Sequence, residues 1–441
     1  MPANGEFNLD ISGVAGFFGG DVAVTAMATV HVYRGRRWLG WYNQPGSYEV
    51  ARRYGQLCSG RFWDTLYPGP NNTPALVFKF DTPQPGPKYM SAQSGASPTG
   101  HAARLLFEGC RSLPLRYTPA ANHRRTSPGF LTIIDLPYAP TTPIIPRRTQ
   151  GTAANLLAAL SIAVSLTASA LCAYLEDWYS CAVILLGVIT NGVSCYVIGR
   201  GTLQFTFPEP DKDSPSGSGI LIGKDELVLL RGSKPALHAI TRGQFVLDYS
   251  SKPQYLDIAL SSTLLSIQFL AQLLLIPQGK LSGQLIFLGT FAVSAAYNSF
   301  LSSLDIESIQ RAFLLEDVLH VGPADDALPR ATMEKYELGT WTTMSVLALM
   351  LLAPSAEKGM LGRILDELLP NHTDLWGYWK AQVLQNIQDK IRSGSADSDE
   401  EFRFEFSSAE GYRPLLQLLY KDSHAAAEMY AQYRGKWHSA K

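Results

Sequence analysis

The side chains best placed to do chemistry lie in Glu226–Tyr249, ELVLLRGSKPALHAITRGQFVLDY. Its RGSK step ends a run that reads as a strand and leads into a helix. A helix start offers free backbone N–H groups, and Arg231 and Lys234 add positive charge, with Arg242 further on. Such a set suits a phosphate or a lipid headgroup. The plainer reading is a strand-to-helix turn carrying solvated basic side chains. No other catalytic signature holds. The chain has no HExxH, no GxSxG elbow and no Walker loop. In GSGILIG the glycines are spaced GxGxxxG, one residue off the dinucleotide fingerprint, and no strand precedes them. The histidines at 31, 101, 123, 238, 320, 372, 424 and 438 never pair at metal-ligand spacing. The five cysteines form no CxxC pair, and three of them (Cys172, Cys181 and Cys195) fall in apolar runs as small hydrophobes. No catalytic residue, metal site or cofactor is indicated.

A second polar set is embedded in apolar sequence: Asn191, Gln268, Gln272 and Asn298. Gln268 and Gln272 stand four apart, on one face of a helix. Amides in hydrocarbon seek hydrogen bonds across helices. The expected role is therefore helix-to-helix contact, with a polar solute path as the alternative. The same segments hold no interior Lys, Arg, Glu or His, and Asp257 sits at an edge. That counts against proton- or ion-coupled transport, which places ionisable groups near the midplane.

These residues are carried by four long apolar runs, at 152–175, 179–199, 255–277 and 283–304. About 20 apolar residues cross a hydrocarbon core about 30 Å thick. The runs are apolar on every face, as membrane helices are. They form two hairpins, closed by the tight links EDW and QGKLS. A fifth run, 338–354, is shorter before its proline and is read as a thinned span, with a helix packed against the other four as the alternative. Residues 11–33 are open to two readings. From Val22 valines and alanines alternate with polar residues, which predicts a strand, and overall apolarity makes a span the alternative. ALVFKF and GFLTIIDL also read as strands, and 82–100 as a linker. Between spans two and three, GILIG and ELVLL read as a hairpin, followed by a helix at 235–242 and a returning strand QFVLDY. The tail holds two amphipathic helices, MLGRILDELLP and DLWGYWKAQVLQNIQDKIRSG, placed on the bilayer surface or on the protein's own soluble parts.

Charge is scarce, at 17% of residues, and nearly balanced, with a net charge of −1. Nothing in it points to nucleic acid. The N-terminus has no basic segment followed by an apolar core, so no cleaved secretory signal is expected. Arg124, Arg125, Arg147 and Arg148 precede the first span, Arg200 follows the second, and Arg242 and Lys252 precede the third. The tight links carry only Lys280 as a base. The positive-inside rule puts the long connections and the N-terminal region in the cytosol and the tight links outside.

Three stretches, GSKPALHAITRGQF, LGTWTTMSVLALMLL and ILDELLPNHTDLWGYWK, resemble segments of multi-span membrane proteins of mushroom-forming fungi. The likeness covers roughly residues 180 to 380. It implies membrane class and carries no activity. The expected fold is an α-helical multi-pass membrane protein with four or five transmembrane helices and a mixed α/β cytosolic region. The expected domains are a strand- and loop-rich region (1–150), a membrane domain (151–354) with a soluble insert (200–254), and an amphipathic helical tail (355–441). The expected function is a non-enzymatic membrane scaffold or interaction protein. A transporter or channel for a neutral or lipid-like solute is the alternative, and a membrane enzyme without a recognisable motif the second. The expected partners are the lipid bilayer and proteins that bind the cytosolic region or tail.

Overall fold

The computed structural model describes residues 20–70, 72–82, 86–93, 95–117, 125–137, 143–146, 151–208, 218–252, 255–320, 331–392, 404 and 414–438. The chain forms two compact units, each discontinuous in sequence. The first comprises Met1–Pro83, Ile145–Phe205 and Phe245–Ile309; the second Gln84–Ile144, Thr206–Gln244 and Gln310–Lys441. This division differs from the three consecutive domains expected at 1–150, 151–354 and 355–441. The first two stretches are cut and the third shares its unit with parts of both, because the sheet of the second unit draws strands from three separate parts of the chain.

The first unit is helical. Two short helices, α1 (Gly20–Ala28) and α2 (Ser47–Gly55), precede four long ones: α3 (Thr152–Tyr174), α4 (Trp178–Ile198), α5 (Leu256–Leu275) and α6 (Leu281–Ser302). The long helices have 23, 21, 20 and 22 residues, and each is long and apolar enough to cross a membrane. None carries a helix-breaking proline, and their ends match the tight links expected. Asp177 caps α4, accepting from the Ser180 N–H at 3.2 Å. The strand expected from Val22 onward is instead a helix over Gly20–Ala28, continued as a 3-10 turn through His31. Ala23, Val24, Ala26, Met27 and Ala28 are all buried, so helix packing overrides the alternation. Residues 11–19 of that stretch lie outside the described residues. ALVFKF is likewise no strand: Pro74–Val77 forms one helical turn.

The second unit is built on a sheet. Numbered along the whole chain, the strands are β1 (Lys88–Ser91), β2 (Gly95–Ser97), β3 (Leu115–Tyr117), β4 (Gly129–Leu136), β5 (Thr202–Thr206), β6 (Gly219–Ile222), β7 (Glu226–Gly232), β8 (Gln244–Asp248) and β9 (Thr332–Leu338). Seven of them pair in the order β2-β1-β6-β7-β4-β9-β3. β4 runs parallel to β7 and antiparallel to β9; β6 and β7 form the expected hairpin. The remaining two, β5 and β8, pair with each other. The cassette at 226–249 is therefore strand, helix (Lys234–Arg242), strand as expected, but its strands join different sheets. β5 falls where no strand is expected.

The fifth apolar run is not a long span. It is α7 (Trp341–Leu352), twelve residues, of which ten are buried. α7 packs with Leu131, Ile133, Leu227 and Leu229 of the sheet and with three tail helices, α8 (Met360–Leu368), α9 (Asp374–Arg392) and α10 (Pro414–His438). A central helix of a soluble core is apolar all round for the same reason a membrane helix is. The apolar faces of α8 and α9 are also spent here: Ile364, Leu365, Trp379 and Val383 are buried in the same cluster, so these helices dock on their own unit and not on a bilayer. Trp379 donates to Ser423 at 3.1 Å and Lys380 reaches Asp366 at 2.7 Å.

With α7 buried in its own unit, no crossing separates the sheet from the tail. A glycosylation sequon engineered into residues 393–400, like the natural one at Asn371, is expected to give no glycosidase-sensitive mass shift. A shift would mean that the 338–354 run crosses a bilayer.

Candidate functional site

The four amides singled out in the long helices belong to the first unit, and three of them converge on one object. That object is the chain's own segment Arg36–Gly46, which leaves the 3-10 turn Arg36–Trp38 and runs inward between the helices. Its entrance lies at Tyr33, whose ring packs on Gly151 at the start of α3. Asn191 of α4 donates through Nδ2 to the carbonyls of Gly40 at 2.6 Å and Tyr42 at 3.2 Å. Asn298 of α6 accepts from the Tyr42 hydroxyl at 3.0 Å. Deeper in, the Asn43 N–H donates to Ser165 of α3 at 3.0 Å, and its Nδ2 donates to Thr290 of α6 at 3.0 Å. Ser165, Gly187 and Thr290 each lie near the middle of their helices, so Asn43 stands near mid-length of the bundle. Gln268 of α5 accepts from Thr190 of α4 and donates to the Gln44 carbonyl at 3.5 Å. Gly46, at φ +78°, then turns the chain into α2, which runs back along α5 with Tyr48 on Phe269.

Sequence reasoning expected these amides to bond from helix to helix. Only the Thr190–Gln268 contact does so. Asn191 and Gln268 bind non-helical backbone, whose carbonyls lack the partners a helix would give them, and Asn298 binds the Tyr42 hydroxyl. Gln272 makes no such contact: its Nε2 has no partner. Room for the inserted segment comes from glycine. A Cβ on Gly187 would collide with the Asn43 side chain, and one on Gly192 with the Trp41 ring.

Asp177 ties together the far end of the bundle. Its Oδ2 accepts from the Ser180 hydroxyl and from the Lys280 N–H, both at 2.9 Å, which joins the two tight turns. Lys280 Nζ donates to the Leu175 carbonyl at 2.8 Å. On the outer surface of the unit, Glu49 pairs with Arg52 at 2.6 Å and Arg53 at 2.9 Å, and Arg53 reaches Asp21 at 3.2 Å.

The basic set of the cassette is dispersed. Arg231 is spent on Asp135, with Nε and Nη2 at 2.6 and 2.8 Å from the two carboxylate oxygens. Lys234 and Arg242 stand at opposite ends of a nine-residue helix, about 12 Å apart at 1.5 Å per residue. These three residues do not form one phosphate cradle. Asp135 also accepts from Thr332 at 3.0 Å, so it belongs to a strand-locking network. A buried ion pair, Lys335–Glu226 at 3.2 Å, lies elsewhere in this sheet. Lys335 donates to the carbonyls of Cys110 and Arg111 at 3.0 and 3.1 Å, closing the end of the His101–Arg111 helix. His238 donates through Nδ1 to the Pro208 carbonyl at 3.2 Å, a packing role. No cluster of three or more metal-ligating side chains occurs among the described residues.

Sequence reasoning missed Arg36, Tyr42 and Asn43. The signal available was RGRRWLGWYNQPG, where arginines, aromatics and amides crowd between glycines. No family model, curated protein or solved structure matches the chain.

The inserted segment makes Gly187 intolerant of a methyl group, whereas a Cβ on Gly289 of α6 would meet nothing. Alanine is otherwise the better helix residue by about 1 kcal/mol. Gly187→Ala is expected to lower the stability of the purified chain by about 1–3 kcal/mol, the range typical of overpacking, read as a fall in its thermal midpoint. Gly289→Ala should leave it unchanged or raise it. Equal effects would contradict the insertion.

Proposed function

We propose that the protein is a multi-pass membrane protein of four transmembrane helices, and that it acts as a non-enzymatic scaffold in which the helical unit anchors the α/β unit. The observation that carries the membrane reading is the outward face of the bundle. Leu156 is 74% exposed, and Leu160, Leu260, Leu270, Leu274 and Leu285 are all more than half exposed. A contiguous apolar surface of this kind is unfavourable in water and normal in lipid. Aromatic residues mark both ends: Tyr174, Trp178 and Tyr179 at the tight turns, Trp38 and Tyr196 at the other. That arrangement suits the two interfaces of a bilayer. The ion pairs of Glu49 and Asp21 with Arg52 and Arg53 are the form in which charge is tolerated beside membrane helices.

The scaffold reading is favoured over the transporter because a solute path needs an open interior. Here Asn191, Gln268 and Asn298 hold the chain's own segment. The α/β unit, with its exposed loops and helices, is the part available to protein partners in the cytosol.

Arg200, Arg242 and Lys252 support a cytosolic side for the long connections, and Arg124, Arg147 and Arg148, which support the same side, lie outside the described residues. The native cysteines at 58, 110, 172, 181 and 195 are all buried. Burial, helped by Asp257, pushes the Cys58 thiol up to about 12, and burial beside Glu226 pushes Cys110 up as well. They give a quiet background for thiol labelling. Single cysteines at Trp178 or Gln278 are expected to react with an impermeant reagent in intact cells, and one at Lys224 is expected to react only after permeabilisation. Labelling of Lys224→Cys alone in intact cells would invert the orientation. A chain that partitions to the soluble fraction without detergent would remove the membrane reading.

A further inference from the structure

Arg36 is 1% exposed, yet among the described residues no carboxylate pairs with it. Its Nη2 donates to the Tyr42 hydroxyl at 3.1 Å. Among the described residues its Nε and Nη1 have no hydrogen-bond partner. The guanidinium lies near the rings of Tyr42 and Tyr297, 5.8 and 5.3 Å from their centroids. Cation–π contacts of this kind recover only about 0.5–2 kcal/mol each. A buried, uncompensated charge costs several kcal/mol, and arginine cannot escape it by losing its proton. The same corner holds a second unmet donor. Asn298 Nδ2 has no partner, while its Oδ1 accepts from the Tyr42 hydroxyl that also accepts from Arg36. Both residues bind one phenolic oxygen, so Arg36 and Asn298 meet at the Tyr42 hydroxyl with N–H groups to spare. The set is made only of donors, which is the chemistry of an oxyanion site.

The depth of the site indicates where that oxyanion comes from. The Tyr297 hydroxyl donates to the Ala154 carbonyl, in the first turn of α3, at 3.1 Å. Asn298 lies one turn before the end of α6. Arg36 therefore sits about one turn inside the helix ends opposite the tight turns. The rim at that end is basic and aromatic: Arg37 lies over Trp38 at 5.3 Å, Arg200 over Tyr196 at 6.0 Å, and Trp38 packs on Tyr196. This is the level of lipid phosphates in the cytosolic leaflet, which carries the anionic lipids.

We propose that Arg36 and Asn298 form a binding site for a phosphate group, supplied by an anionic phospholipid of the cytosolic leaflet. The inference rests on the membrane reading for the source of the phosphate, and free phosphate is the other source of the same chemistry. Bound phosphate would neutralise Arg36 and lock the inserted segment, making the fold of the helical unit dependent on lipid.

The test is the thermal midpoint of the full-length, delipidated chain in detergent, measured with phosphatidylcholine micelles, with micelles containing phosphatidic acid, and with inorganic phosphate at matched ionic strength. Phosphatidic acid is expected to raise the wild-type midpoint by several degrees and phosphatidylcholine to leave it unmoved. Arg36→Gln should abolish the shift. If that variant does not fold, two others decide. Arg36→Lys keeps the charge but loses the planar fork, so it should retain only part of the shift. Asn298→Asp supplies a built-in anion, so it should raise the midpoint in phosphatidylcholine and remove the response to phosphatidic acid. A shift of equal size with inorganic phosphate would keep the site and assign it to free phosphate. A flat wild-type response, or the same response in Arg36→Gln, would overturn the proposal. A chain soluble without detergent would defeat the membrane reading separately, and the inorganic phosphate arm would still decide on Arg36.

Discussion

The helical unit depends on the two hydrogen bonds from Asn191 to the carbonyls of Gly40 and Tyr42. A four-helix bundle normally fills its interior with side chains. Here a stretch of irregular backbone occupies it, and irregular backbone brings carbonyls and N–H groups that no helix ladder satisfies. Between apolar helices there is no water to take them up, so the helices themselves must supply partners. Asn191 gives two donors to the incoming carbonyls, Ser165 accepts the Asn43 N–H, and Thr290 accepts its side chain. Each such bond contributes on the order of 1 kcal/mol, but leaving the groups unmet would cost more than making them gains.

Several sequence choices follow from that constraint. α4 has to carry glycine where Trp41 and Asn43 press against it, at a cost in helix propensity that the inserted segment offsets through packing. The helices hold serines, threonines and amides facing inward and leucines facing outward, the reverse of a water-soluble bundle. At the other end of the bundle Asp177 joins both turns, so the two hairpins are fixed at one end by a carboxylate and filled toward the other by the N-terminal segment. Insertion leaves some groups unmatched, among them Arg36 Nε and Nη1, Asn298 Nδ2 and the Ser194 and Ser294 hydroxyls. They are the natural places for the bundle to meet something other than itself.

The long helices are legible in the sequence because runs of twenty or more mostly apolar residues without an interior proline make long helices, and the tight links EDW and QGKLS leave no room for anything but hairpins. The β6–β7 hairpin and the helix after RGSK are legible from alternation and from Pro235. Other features are not, for physical reasons. In Val22–Val32 the period of two is real, but small residues at every second position also satisfy a short helix wedged among others. α7 has the composition of a span and half the length, and composition cannot tell a protein core from hydrocarbon. The amides of α4, α5 and α6 can be read as groups in need of partners. That the partner is the chain's own residues 40–44 is long-range information, which neither spacing nor propensity encodes. Arg231 looks available in the sequence because its partner, Asp135, is nearly a hundred residues away.

Hydrogen exchange of the backbone amides of residues 39–47, followed by mass spectrometry on the purified full-length chain, tests the inserted segment most directly. A segment held between the long helices should exchange as slowly as the middle of α4, although it contains no regular secondary structure over Leu39–Gly46. Exchange at the rate of a solvent-exposed loop would contradict the insertion and, with it, the role given to Asn191.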